Sequence, residues 1–220
     1  MFAVVFEVRP ADGKKDEYLA LAKHLKPMLE SIDGFIDNER FESKQRPGWI
    51  LSISTWRDEK SVVRWRTQGE HHRIQETGRN RIFMDYHLRV CEVIDDSNPP
   101  EGVPLIEQRL DETQISAAKA LSVVELLPAP GASPASDPDL LREAGLDVNS
   151  AALTDHDVFE SIYNAGKALV LAGWRSADDA RAWKAQLPRG AVQSRQRVLR
   201  NIRDYGMFER REAAQYYPDA

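Results

Sequence analysis

The chain has 220 residues, of which 42% are hydrophobic and 30% charged, with a formal net charge of -5. That is the balance of an ordinary globular protein of one or two domains. It gives no electrostatic basis for nucleic-acid binding, which needs clustered Lys and Arg. No apolar run approaches the ~20 residues that cross a bilayer. The single cysteine, Cys91, excludes an internal disulfide and a cysteine-rich metal site. The opening MFAVVFEVRP lacks the basic start and long apolar centre of a signal peptide, so a cytoplasmic location is expected.

In chain order, Phe2 to Arg9 is short and β-rich and reads as a strand. Residues 14–31 place Tyr18, Leu21, Leu25 and Leu29 at helical spacing, and Pro27 is expected to bend or shorten that helix. Residues 35–44 and 49–56 read as strands separated by the turn formers Arg46, Pro47 and Gly48. Asp58 is placed to cap a helix carrying Val62, Val63 and Trp65. The polar stretch GEHHRIQETGRNR then leads into a strand over roughly 82–94. The order is β-α-β-β-α-β, a ferredoxin-like unit.

The remainder repeats the beginning. Trp56 and Trp174 lie 118 positions apart, and the same shift carries Glu7 to Glu125, Pro10 to Pro128, Gly48 to Gly166 and Trp65 to Trp183. It also aligns Gln75 with Gln193 and Arg79 with Arg197, and with a slip of one it aligns Asp85-Tyr86 with Asp204-Tyr205. We therefore expect two tandem copies, at 1–95 and 119–212, with a linker at 96–118 and a tail at 213–220. In the second copy the small-residue loop APGASPAS (129–136) replaces the charged start of the first helix. Helices on one face leave the other face of each sheet uncovered. Two copies can bury those faces against each other.

The opening strand with Pro10, then Gly34-Phe35, STWRDEKSVVRWR, EHHRIQETGRNR and the DYHLRV strand resemble the antibiotic biosynthesis monooxygenase domain over about 2–94. The second copy resembles it more weakly over about 119–212, through GWRSADDARAWK and Asp204-Tyr205. Members of that family pair as homodimers to form an α/β barrel. The resemblance thus implies an α+β fold of two ferredoxin-like repeats forming that barrel within one chain. Further homodimerisation of the fused chain stays open. The resemblance implies a monooxygenase that uses molecular oxygen on an electron-rich aromatic or quinol-type small molecule, with no cofactor. Related members bind and degrade haem, and a binding barrel without turnover is the third alternative.

Direct reaction of an organic molecule with triplet oxygen is spin-forbidden. A cofactor-free enzyme must remove a proton to make the substrate electron-rich, and must then stabilise the anion. His71 and His72 are the residues suited to move a proton near neutral pH. They lie about 100° apart on a helix, so at most one of them faces a pocket. Under the repeat they meet Arg189 and Gly190, and Arg73 meets Ala191, which places the working pocket in the first copy. By family position Trp65 lines that pocket; read from the sequence alone it is as readily core. Arg73 and Arg79 are candidates to hold the enolate or reduced oxygen, and Glu7 and Tyr86 to contact substrate. Haem-degrading relatives carry an asparagine where this chain has Glu7, with a helix tryptophan and a histidine ligand that Trp65 and one of His71 or His72 match. No metal cluster stands at helical spacing. Trp56 and Trp174, at strand ends, read as core.

Overall fold

The structure is a computed structural model that describes residues 1–129, 137–188 and 191–214. The first half runs β1 (Phe2–Pro10), α1 (Lys15–Glu30), β2 (Phe35–Ser43), β3 (Ile50–Trp56), α2 (Glu59–Thr67), α3 (Gly69–Thr77) and β4 (Phe83–Asp96), with a π-helical turn, Gly78–Ile82, before β4. The second half runs β5 (Ala120–Pro128), α4 (Asp137–Glu143), β6 (Leu153–Ser161), β7 (Ala168–Trp174), α5 (Ala177–Ala182) and β8 (Ala191–Gly206). This is an α+β fold in which the β-α-β-β-α-β order occurs twice. Among the described residues no helix is long and apolar enough to cross a membrane.

All eight strands form one antiparallel sheet in the order β1-β3-β2-β6-β7-β5-β8-β4, and β4 pairs back with β1, so the sheet closes on itself. The halves join at two seams, β2 with β6 and β4 with β8. The pseudo-two-fold that exchanges the halves maps the β4–β8 seam onto itself. At β4–β8, Val90 stands opposite Arg203 and Arg89 opposite Asp204, while Val198 stands opposite Asp95 and Arg197 opposite Asp96. No strand edge is left to template aggregation. The inner face carries one apolar core drawn from both halves, including Val5, Phe41 and Leu51 from the first and Val123, Phe159 and Leu169 from the second. The doubling thus buries each half's bare sheet face, each large apolar side chain contributing ~1.5–3 kcal/mol.

The expected strands and helices are present, with three differences of substance. First, α1 continues through Pro27 to Glu30, although Pro27 has no N–H to bond the Lys23 carbonyl one turn back. Second, GEHHRIQETGRNR is helical, forming α3 and the π-helical turn. Third, among the described residues the second half has no counterpart of α3, so the repeat shift drops there. The sheet registers equate Phe2 with Ala120, still 118 apart, but Glu92 with Arg200, only 108 apart. The true partner of Arg197 is Arg89, not Arg79, and Asp85-Tyr86 does not correspond to Asp204-Tyr205. Gln193 and Ala191 likewise belong to β8 and have no helical equivalents at Gln75 and Arg73. Arg189, Gly190 and most of APGASPAS lie outside the described residues.

Gly34 shows how closely the helical layer sits on the sheet. Its φ is +89°, and a Cβ there would lie 2.0 Å from Ser61 Oγ on α2. Residues 97–119 cross the surface largely without regular structure, with Val103 and Leu105 packing on the inner core.

Candidate active site

The first half carries its helices α1, α2 and α3 on the outer face of the sheet. Trp65 packs there with Phe2, Leu29, Trp56, Val90 and Ile202. Asp58 starts α2 by accepting from the Ser61 N–H at 2.8 Å. Gln68 then separates α2 from α3. Its extended backbone (φ −62°, ψ 122°) ends the first helix, and its side chain caps the second by accepting from the His71 N–H at 2.6 Å. That single residue folds His71 back over Trp65. The two rings stack 4.0 Å apart at 15°, and His71 Nδ1 lies 2.9 Å from the Trp65 carbonyl oxygen.

A carbonyl oxygen only accepts, so Nδ1 carries the proton and the lone pair is on Nε2. Burial pushes the His71 pKa down to about 4, and the neighbouring His72 adds to this, against the opposing bond to Trp65. His71 is therefore neutral at physiological pH and able to accept a proton.

The other sequence candidates divide. His72 Nε2 lies 3.7 Å from Glu76 on the same helix. Arg73 is exposed and forms a two-point ion pair with Glu70, which also meets His24. Arg79 is half-buried in the π-helical turn. Tyr86 belongs to the same outer layer as Trp65, packing with Phe6 and Phe83, and its hydroxyl accepts a bond from Arg210. Glu7 lies elsewhere. It faces the inside of the closed sheet, 3% exposed, paired with Arg89 and Arg46. Burial favours its protonated form, but Arg89 and Arg46 outweigh it and hold the carboxyl below its usual range. The structure thus brings Trp65, His71 and Tyr86 into one layer and leaves Glu7 on the opposite side of the sheet. Trp56 and Trp174 are core residues whose indole N–H groups bond Ser54 and Ser122.

Three residues of this layer were not assigned from the sequence: Arg66 beside Trp65, and Arg203 and Arg210 from the end of the second half. Tyr205, opposite Leu88, joins Tyr86 in the same cluster. Alternation along β8 was the available signal, but the misread shift hid it. In the second half Trp183 stands where Trp65 does. It lines a cleft of about 230 Å³ with Trp174, Asp147 and Asp179, and no histidine.

A family model described as antibiotic biosynthesis monooxygenase matches residues 1–77. A curated relative from Pyricularia oryzae, named jasmonate monooxygenase ABM, is 42% identical over 100% of both chains. The chain belongs to the antibiotic biosynthesis monooxygenase family. It is an oxidoreductase, a monooxygenase acting on a small organic substrate. Among solved structures, an anthrone oxidase-like protein is similar at 13% identity with a TM-score of 0.38, covering 97% of this chain and 96% of that one. An antibiotic biosynthesis monooxygenase is similar at 16% identity with a TM-score of 0.37, covering 41% of this chain and 95% of that one.

Within this family member, the residues matched to a haem site do not converge. Glu7 is inside the closed sheet and ion-paired, whereas Trp65 and His71 are outside it and stacked on each other. A haem cannot take His71 as ligand with Trp65 and Glu7 around it. Among the described residues, no three His, Cys, Asp or Glu side chains are grouped to hold a metal ion.

Proposed function

We propose that this monooxygenase oxidises a small apolar carboxylic acid of the jasmonate type with molecular oxygen and no cofactor, in the layer between the sheet and α1, α2 and α3. The observation that carries the reading is the half-buried, neutral His71 with Nδ1 fixed by Trp65, alongside a relative of that name at 42% identity over both chains. His71 Nε2 takes a proton from carbon next to a carbonyl, and the resulting anion gives one electron to oxygen. Radical recombination and loss of water turn a CH2 group into C=O. The substrate supplies all four electrons, so no outside reductant enters. The expected product has gained one oxygen and lost two hydrogens. A hydroxylated product, which needs two electrons from outside, would refute cofactor independence.

An electron-rich aromatic or quinol substrate is the second reading, favoured by the aromatic wall of Phe6, Phe83 and Tyr86. Trp65 has one face already covered by His71, which limits stacking on it. Oxygen uptake with jasmonate, an anthrone and a hydroquinone, followed by mass analysis of the products, separates the readings. No uptake with any of them would overturn both substrate readings.

We further infer that residues 1–95 and 119–212 are the two copies of a fused family dimer joined by 96–118, and that the closed sheet is its barrel. The repeated strand order and the seam that the pseudo-two-fold maps onto itself support this. The first copy holds the site, because among the described residues the second lacks α3 and any histidine equivalent to His71.

A further inference from the structure

Most arginines of this acidic chain sit in ion pairs; Arg66, Arg203 and Arg210 are among those that do not, with no carboxylate of the described residues within salt-bridge distance of any of them. All three lie close enough to act electrostatically on the Tyr205 phenol, and Arg210 also reaches Tyr86. Arg210 donates to the Tyr86 hydroxyl and lies 6.0 Å from the Tyr205 ring centre. Arg203 and Tyr205 are two apart on β8 and so share its outer face, opposite Val90 and Leu88 of β4. Val90 also packs in the cluster that holds Trp65, the residue before Arg66. Arg66 Nε and Tyr18 Oη, both buried in this layer, make no hydrogen bond with any described group. Burial and Tyr86 raise the Tyr205 phenol above its usual range, while Arg66, Arg210 and Arg203 pull it down.

The second half carries a different pair at the equivalent positions. The helix shift equates Arg66 with Lys184, and the sheet registers equate Arg203 with Asp95. Lys184 and Asp95 form an ion pair at 3.2 Å. In the second copy the two positions neutralise each other. In the first both are cations, the Asp111 carboxylate acting on Arg203 only from beyond ion-pair distance, and like charges held together in a partly buried layer are unfavourable.

We propose that Arg66, Arg203 and Arg210, with the Tyr86 and Tyr205 hydroxyls, form an anion-binding site that takes the carboxylate of the substrate and aims its apolar body at Trp65 and His71. This deepens the jasmonate-type reading and rests on it for the identity of the acid. The charged head is held mainly by residues of the second half, and the proton is taken by a residue of the first.

The test is calorimetric binding without turnover, under nitrogen, using jasmonate, its methyl ester and 3-phenylpropanoate on the full chain. We expect the acid to bind at least about tenfold more tightly than the ester, since a charge-assisted bond is worth ~1.5–3 kcal/mol. Arg66→Gln and Arg203→Gln should each remove most of that preference, whereas Lys184→Gln should leave it intact. A folding check by circular dichroism accompanies each variant, and Arg203→Lys, which keeps the charge, should retain part of the affinity. If acid and ester bind alike, the anion site is overturned while the substrate reading survives. If 3-phenylpropanoate binds with the same arginine dependence and jasmonate does not, the anion site stands and the substrate reading falls. If no carboxylate binds, the anion site is overturned.

Discussion

Replacing Glu7 with glutamine removes one charge from the inside of the closed sheet and leaves the shape nearly unchanged. Arg89 is 1% exposed and has Glu7 as its close partner; the next carboxylate, Asp155, is 3.7 Å from Nη1. Its Nε and Nη1 make no hydrogen bonds among the described residues. In Glu7→Gln that guanidinium stays buried with only the more distant Asp155 and Asp204 carboxylates to balance it, and breaking one side of a buried pair costs ~3–5 kcal/mol. For a chain of this size that lowers Tm by roughly 6–20 °C. The pseudo-equivalent change, Glu125→Gln, should cost less, ~1–3 kcal/mol. There Arg197 keeps a bond to Thr55 at 2.9 Å, Lys167 keeps Glu39 at 2.5 Å, and Glu125 is 14% exposed. Removing both charges together, Glu7→Gln with Arg89→Met, should be milder than Glu7→Gln alone.

The assay is urea unfolding of the three variants with slopes compared, since a changed slope would signal an altered unfolded state. The pH dependence provides a second reading. Arg89 and Arg46 hold Glu7 below its unfolded value of 4.5, so its contribution is complete above that pH and is lost as pH falls through the lower folded value. The gap between parent and Glu7→Gln should therefore close in acid. A Glu125→Gln chain less stable than Glu7→Gln, or a gap that widens in acid, would refute the reasoning.

Other outcomes follow from the site. Activity should stay flat from neutral pH downward and fall only near the His71 pKa of about 4, because the base must be unprotonated; a fall near pH 6.5 would point to another histidine. His71→Ala should lower turnover ~10²–10⁴-fold, read by oxygen uptake, while leaving jasmonate binding measurable. Gln68→Ala removes the α3 cap, costs ~1 kcal/mol and should loosen the Trp65–His71 stack, seen as a changed near-ultraviolet circular dichroism band. Gly34→Ala places a Cβ 2.0 Å from Ser61 Oγ at positive φ and should destabilise by more than ~1 kcal/mol in thermal unfolding.

The strands and the doubling were legible because they are written in local terms: alternation, turn residues and a shift that holds from Phe2 to Trp65. The shift fails after Trp65 for a physical reason. Among the described residues the second half omits a helix, and a constant offset cannot see a deletion compensated by chance identities such as Arg79 with Arg197. The closed sheet corrects it, because Glu7 with Arg89 and Glu125 with Arg197 are the same ion pair made twice. His71 and Trp65 were readable as chemistry-bearing types. Their mutual stacking was not, since it depends on the extended backbone of Gln68. Arg203 and Arg210 were out of reach for another reason: they come from the far half and join the first site only through the β4–β8 seam.

That seam also gives a physical reason for fusing the copies. In a symmetric dimer the last strand of each subunit is identical, so whatever its end offers one site it must offer the other. In one chain the two ends can differ. The end of β8 presents Arg203 and Tyr205 to the layer that contains His71, while the end of β4 presents Asp95 to the layer that contains Lys184. A symmetric pair carrying Arg203 twice would place two clusters of excess positive charge on one sheet, at like-charge cost in both. The fused chain concentrates that cost at one site and neutralises its counterpart. Asp95→Arg tests this: it should recreate the first site's excess charge in the second half, break the Lys184 pair, and lower stability by ~1 kcal/mol, most strongly at low salt. A variant as stable as the parent at low ionic strength would show that the sheet tolerates two such clusters, and charge would no longer explain the asymmetry.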